Sequence, residues 1–197
     1  SSNELSKLIN FKIDYKEKYI VLIQHPLSSE FKDSYRQMKI TLEAIKQLKI
    51  KTIIISPNSD PGNRDIKKAI KEFDHLKFVY NTHHLKRTTF VNLLRNCSCL
   101  LGNSSAGILE APSLRLPTVN IGNRQKERLH SSNVQFVTHD VKMIKKAIKK
   151  ALFDKKYIAK VNRCKNPYGE GKTGKKIANI LSKIKIDKKL MIKDITY

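Results

Sequence analysis

Short runs of apolar, mostly β-branched residues recur along the chain, and helix-like patterns fill the intervals between them. These runs are predicted to be buried strands and lie at residues 19–24, 51–56, 76–80, 97–101, 117–122 and 134–138. In the intervals, apolar residues recur at helical spacing, most clearly at Tyr35, Met38, Leu42, Ile45 and Leu48. Alternating units of this kind predict an α/β fold, a Rossmann-like doubly wound parallel sheet of about six strands with helices on both faces.

The length and the hydrophobic content fit a single domain. The chain has 197 residues, and 40% of them are hydrophobic, which is enough for one buried core. This domain is predicted to cover residues 19–197 and to end in a lysine-rich helix running from residue 172 toward residue 190, while residues 1–18 are predicted to be a linker. Because the sequence contains no apolar run of about 18 residues and no signal-peptide pattern, we expect a soluble, cytoplasmic protein with no membrane partner. The first residue is serine, so we expect this chain to be part of a longer protein.

The positive charge of the chain suggests an alternative function. The formal net charge is +23, and a basic surface is typical of proteins that bind nucleic acids. However, only eight of the 40 basic residues are arginines and 7% of the residues are aromatic, whereas phosphate forks and base stacking favour those types. The lysines fall mostly on the polar faces of helix patterns, so we expect solvated helix faces and no nucleic-acid partner. Charge alone leaves open an attraction to an anionic ligand, a membrane surface or an acidic partner.

The cysteines and histidines do not form a recognisable metal motif. Cys97, Cys99 and Cys164 are too few for a disulfide framework, and we expect reduced thiols. His83 and His84 are adjacent, and the two closely spaced cysteines have no partner pair at zinc-site spacing. We therefore expect no metal and no cofactor.

Polar segments follow four of the predicted strands. They read QHP after the first strand, SPNSDPGNRD after the second, GNSSAG after the fourth and GNRQ after the fifth. In an open α/β sheet, ligands bind beyond the carboxyl ends of the strands, so these segments are predicted to meet at one edge. Such residues are also common in ordinary caps and turns. The presence of a histidine, a serine pair and an arginine favours a crevice that accepts an anion.

The GNSSAG segment is the strongest candidate for phosphate binding. Ser104 and Ser105 are predicted to occupy the cap and first turn of a helix, where free N–H groups and two hydroxyls could face an anion. Gly102 and Gly107 would allow close backbone approach, although the spacing matches neither a dinucleotide fingerprint nor a Walker loop. Glu110 follows on the same helix, where it suits the paired hydroxyls of a ribose or simply supplies a favourable charge at the helix terminus.

Four segments occur in this order along the chain: QHP, SPNSDPGN, LLGNSSAGILEAPSLRLPTVNIGNRQ and NPYGEG. Together they make the sequence resemble the carboxyl-terminal half of UDP-N-acetylglucosamine 2-epimerases. The resemblance covers nearly the whole chain. It implies the second domain of a glycosyltransferase-B-like two-domain fold, with the nucleotide sugar bound between the domains. Residues 1–18 would then be an interdomain linker and residues 19–197 a UDP-binding domain, whose missing amino-terminal domain would be its partner.

The resemblance also implies a role for individual residues. It implies a catalytic role for His25, in contact with the diphosphate or the sugar. Ser104 and Ser105 would bind the diphosphate, Glu110 the ribose hydroxyls and Arg124 the phosphate and sugar region. Asn58 and the segment around His84 to Phe90 would line the nucleoside side, and Gly102 and Asn103 in the central motif are also implied to bind substrate. The GNRQ form resembles the hydrolysing, sialic-acid-type branch of the family.

The implied reaction removes the C2 proton of UDP-N-acetylglucosamine, eliminates UDP to leave a glycal, and adds water to give N-acetylmannosamine. The resemblance further implies a homo-oligomer of the full-length protein. Alone, this chain is expected to bind UDP weakly and to turn nothing over, since the acids and bases would lie on the other domain. Two alternatives stay open: the donor-binding domain of a glycosyltransferase-B enzyme, and a basic nucleic-acid-binding module.

Overall fold

The computed structural model describes residues 6, 17–83 and 85–192, without the side chain of Lys189. Most of the predicted linker at 1–18, and the predicted site residue His84, lie outside this part of the chain. The chain divides into two compact units, Ser1–Pro167 and Tyr168–Tyr197, which are described separately below.

The described residues of the first unit form one parallel sheet of six strands. The strands are β1 (Tyr19–Ile23), β2 (Lys51–Ile55), β3 (Val79–Thr82), β4 (Cys99–Gly102), β5 (Thr118–Ile121) and β6 (Val134–Val137). Their order across the sheet is β3-β2-β1-β4-β5-β6, and every neighbouring pair is parallel. The predicted α/β fold class is therefore confirmed. The strand order reverses between β1 and β4, which is where sheets of this type bind ligands.

Helices cover both faces of the sheet in the first unit. They are α1 (Ser34–Leu48), α2 (Asn63–Lys71), α3 (Arg87–Asn96), α4 (Ala106–Leu109), α5 (Val141–Phe153) and α6 (Lys155–Asn162), and a 3-10 helix covers Ser28–Asp33. Side chains alternate along β1, so that Ile20 and Leu22 join a core with α1, α2 and α5, while Val21 and Ile23 join a core with α3 and α4. Burial on both faces explains why the strand sequences are continuously apolar.

Three elements differ in extent from their sequence patterns. Strand β3 begins at Val79 rather than at residue 76, because the preceding residues turn and the Val79 N–H donates to the Leu76 carbonyl. Helix α4 has only four residues, since the chain turns ahead of Pro112, which cannot continue a helix. The placement of Glu110 near the start of this helix was therefore wrong, because Glu110 directly follows its last residue. The single terminal helix expected after residue 172 is instead two short helices.

Those two helices form the described part of the second unit. They are α7 (Thr173–Leu181) and α8 (Lys188–Met191), and the Asp187 carboxylate accepts a hydrogen bond from the Leu190 N–H at the start of α8. In neither unit do the described residues include a helix that is both long enough and apolar enough to cross a membrane.

Candidate functional site

A cavity of about 380 Å³ opens at the carboxyl ends of β1, β2 and β4. His25, Asn58 and Ser104 line it from the loops that follow these strands, and Phe90 and Arg87 line it from α3. Ile23, Ile55 and Leu85 supply apolar wall, and Ser56 and Pro57 complete the lining. The cavity thus lies at the reversal of strand order and combines an apolar wall with several polar groups, as small-molecule sites do.

A larger depression of about 550 Å³ lies beside His130, Lys150 and Lys160. It also touches Val134, the first residue of β6, and therefore lies at the amino end of that strand. In a parallel sheet this is the opposite edge from the carboxyl ends. We place the candidate site at the smaller cavity, because three of the four polar segments predicted from the sequence, those after β1, β2 and β4, contribute to its lining.

Gly102, the last residue of β4, allows the carboxyl ends of β1 and β4 to lie close together. Its φ is +116°, and a Cβ atom at this position would lie 2.1 Å from the Ile23 carbonyl oxygen. Only glycine fits both conditions. The next residue, Asn103, can therefore continue the pairing between the strands, and its N–H donates to the Ile23 carbonyl at 3.0 Å.

The buried side chain of Asn103 fixes the backbone of His25. Its Oδ1 accepts a hydrogen bond from the His25 N–H at 2.7 Å, and its Nδ2 donates to the His25 carbonyl at 2.8 Å. The amide of the side chain thus acts as an extra peptide group at the end of β1. The resemblance implies that Asn103 binds substrate. In the structure, its side-chain amide holds the backbone of His25 through these two hydrogen bonds.

The carbonyl of Asn103 also anchors the loop that follows β5. It accepts hydrogen bonds from Arg124 Nη1 at 3.2 Å and from Gln125 Nε2 at 3.0 Å. The guanidinium of Arg124 is close enough to His25 to affect its ionisation. Asn103 therefore connects the histidine and the arginine, which the sequence places almost one hundred residues apart.

The imidazole of His25 is neutral near pH 7. Its pKa falls from the ordinary 6.5 to about 4, chiefly because burial disfavours the charged ring and secondly because Arg124 is positive, while Asp60 opposes the shift. The Asn58 N–H donates to Nδ1 of His25 at 3.1 Å, so the ring proton is assigned to Nε2. The histidine can therefore donate a hydrogen bond from Nε2 at neutral pH.

We expect stability to fall with acidification because of this histidine. Between pH 6.5 and 4 the unfolded chain binds a proton at His25 that the folded chain excludes, so stability is lost as the pH drops through this window and is regained as it rises. The loss attributable to His25 is at most about 3 kcal/mol. Urea unfolding from pH 4 to 7 measures it, and His25→Gln should flatten the curve in this range. An NMR titration showing a His25 pKa near 6.5 would contradict the assignment.

Ser104 and Ser105 lie directly before α4, one residue earlier than the predicted cap and first turn. Ser104 lines the cavity, and its Oγ accepts a hydrogen bond from the Ala106 N–H at 3.3 Å, which leaves the hydroxyl proton able to donate. Ser105 is the N-cap residue, and its carbonyl accepts from the N–H groups of Ile108 and Leu109. Because α4 has only four residues, hydroxyl and backbone donors matter more here than a long helix dipole.

Glu110 is connected to the cavity through an arginine. Its Oε2 lies 2.6 Å from Arg87 Nη1, and the Arg87 guanidinium lies 5.8 Å from the centroid of the Phe90 ring. Of the residues predicted for the site, His25, Asn58, Phe90 and Ser104 line the cavity directly. Ser56 and Pro57 also line the cavity and begin the SPNSDPGNRD segment that was predicted at this edge, whereas the ion pair of Arg87 was not predicted. Among the described residues, no group of three or more histidine, cysteine or acidic side chains is placed to hold a metal ion.

The fold and the site together define a Rossmann-like α/β domain with a cavity at its switch point that has an apolar wall and several polar groups, the class to which nucleotide-binding domains belong. A match to the family model described as UDP-N-acetylglucosamine 2-epimerase extends over residues 2–182. The chain belongs to this family, and the resemblance seen in its sequence is confirmed.

Two curated relatives and one solved structure illustrate the similarity. The chain is 33% identical over 183 residues to a UDP-N,N'-diacetylbacillosamine 2-epimerase (hydrolyzing) of Legionella pneumophila, covering 93% of this chain and 47% of that protein. It is 32% identical to the polysialic acid biosynthesis protein P7 of Escherichia coli, covering 77% of this chain and 39% of the relative. The UDP-GlcNAc 2-epimerase of Neisseria meningitidis, solved bound to UDP-GlcNAc, superposes with a TM-score of 0.75 at 20% identity, covering 92% of this chain and 49% of that one. The chain thus spans about half the length of these proteins or somewhat less.

Proposed function

We propose that this chain is the UDP-binding half of a hydrolysing UDP-sugar 2-epimerase. The observation that carries the proposal is that His25 and Ser104 line one switch-point cavity, with Arg124 held beside His25 by the Asn103 carbonyl, in a chain that belongs to the epimerase family. The substrate is UDP-N-acetylglucosamine or a 4-acetamido-6-deoxy relative of it, and the name of the Legionella relative favours the latter. Its partner is the other domain of the same protein, with the sugar held between the two.

The described residues suit the two parts of UDP differently. Arg124 supplies a full positive charge, and His25 and Ser104 supply an N–H and an O–H donor toward the diphosphate. Phe90, Leu85 and Ile55 form the apolar side that suits the uridine. Glu110 is the carboxylate available for the ribose hydroxyls. Because His25 is neutral, it stabilises the ligand by hydrogen bonding rather than by charge.

The reaction breaks the C2–H and C1–O bonds of the sugar and forms a C1=C2 double bond, so that UDP departs with the electron pair of the C1–O bond. Water then adds its hydroxyl to C1. A proton adds to C2 on the face opposite to the one from which the first proton left, which gives the free 2-epimeric sugar. Negative charge grows on the diphosphate as the C1–O bond breaks. Donors fixed in advance at that position, here Arg124, His25 and Ser104, stabilise the transition state most effectively. The groups that move the proton at C2 belong to the other half of the protein.

Isotope incorporation tests the reaction directly. The intact protein is incubated with UDP-N-acetylglucosamine, and separately with its diacetylated 6-deoxy analogue, in D₂O enriched in ¹⁸O. For the true substrate we expect release of UDP together with a free sugar that carries deuterium at C2 and ¹⁸O at C1. A reversible epimerase would instead give the UDP-linked epimer without net release of UDP. No UDP release with either sugar would refute the proposal.

A further inference from the structure

Neither the stability of its helix nor that of the fold explains an arginine at position 87. It is the first residue of α3, where the positive end of the helix dipole disfavours a cation, and its side chain is 67% exposed. An exposed ion pair also adds little to the stability of a fold. The position of Arg87 on the cavity wall therefore calls for an explanation based on the ligand.

The contacts of Arg87 connect two parts of the cavity. Its guanidinium lies 5.8 Å from the ring centroid of Phe90 on the same helix, and its Nη1 lies 2.6 Å from Oε2 of Glu110 just after α4. The carboxylate of Glu110 is only 29% exposed, so its orientation is constrained by its surroundings. An ionised carboxylate has two oxygens with about four acceptor sites, and one ion pair leaves acceptor capacity on both oxygens.

We propose that Arg87 is a positioning residue for ribose recognition, an inference that rests on the proposed function because it assumes that UDP occupies this cavity. Arg87 holds Oε2 of Glu110 so that the carboxylate keeps one orientation, with Oε1 presented to the 2′- and 3′-hydroxyls of the nucleotide. Its positive charge also offsets that of Glu110, which would otherwise repel the diphosphate a short distance away. Through this pair, Glu110 discriminates ribose from deoxyribose without weakening the binding of the diphosphate.

The test compares the affinities of the intact protein for UDP, 2′-deoxy-UDP and 3′-deoxy-UDP by isothermal titration calorimetry. Hydrogen bonds to a charged acceptor correspond to about a 10- to 100-fold preference of the wild type for UDP. In Arg87→Met we expect this preference to shrink to about threefold or less, since the carboxylate is no longer held. Arg87→Lys, which keeps the charge but not the fork geometry, should lie between the two. Arg95→Met, on the same helix but exposed and away from the cavity, should retain the wild-type preference.

A double-mutant cycle separates positioning from a general effect. In the Glu110→Gln background, Arg87→Met should change the preference for UDP no further, because its effect acts through the carboxylate. If Arg87→Met weakens all three nucleotides by the same factor, the residue only adds charge, and the positioning role is wrong although UDP binding stands. A wild type that binds UDP and both deoxy analogues equally would also overturn the inference alone. A wild type that binds no UDP would overturn the proposed function itself.

Discussion

Replacing Arg124 by methionine in the intact protein is expected to lower kcat by about 10²- to 10³-fold. The guanidinium is held by the carbonyl of Asn103 before any ligand arrives, so it needs no reorganisation when charge develops on the departing diphosphate. Removing one such preorganised donor from a shielded site typically has an effect of this size. Methionine keeps much of the apolar stem, and Gln125 still anchors the loop to the same carbonyl, so the fold should persist. The rate of UDP release under saturating substrate measures the effect.

Two further measurements make this result specific. Arg128→Met, four residues along the same loop and exposed, should leave kcat within about threefold of the wild-type value. The pKa of His25 should rise in Arg124→Met, because the positive charge of Arg124 is the second cause that lowers it. If Arg124→Met kept the kcat of the wild type, Arg124 would not act on the leaving group. An unchanged His25 pKa would show that the two side chains do not share one site.

The architecture of the domain followed from patterns that are local in the sequence. Continuous apolar strands separated by amphipathic intervals specify a parallel sheet, and the rule that ligands bind at carboxyl ends predicts that His25 and Ser104 lie at one edge of it. The structure places both on the wall of one cavity. Helix α4 was less predictable, because Glu110 was expected on the same helix and only the turn ahead of Pro112 ends it after four residues.

The connections between side chains could not be predicted in the same way. Asn103 was implied to bind substrate from its place in the motif, but its side chain is hydrogen-bonded to the backbone of His25, in the loop that follows β1. The pair of Arg87 and Glu110 joins the start of α3 to the residue just after α4, and no periodicity in the sequence indicates it. Contacts of this kind depend on the rotamers and the exact separation of loops, which a single sequence does not encode locally.

The geometry of the whole site depends on Gly102, and Gly102→Ala is expected to lower the free energy of unfolding by about 3 kcal/mol or more. Two costs add here. Alanine is strained at a φ of +116°, by about 1 to 2 kcal/mol, and its Cβ would lie 2.1 Å from the Ile23 carbonyl oxygen, which forces β4 away from β1. A backbone atom cannot turn aside as a flexible side chain can, so the second cost is not relieved locally.

A matched glycine separates the two costs. Gly169 also has a positive φ, of +101°, but a Cβ atom there would meet no other atom within 4 Å. Because Gly169 lies in the second unit, Gly169→Ala should lower the free energy of unfolding of the first unit by no more than the conformational strain, about 1 kcal/mol, and urea unfolding of both variants gives the difference. Displacement of β4 would also move Asn103 away from His25. At the same concentration of folded protein, Gly102→Ala should therefore bind UDP more weakly than the wild type. If the two variants are destabilised equally, then β4 and β1 are not in close contact at this turn, and the support that we assign to Asn103 behind His25 is wrong.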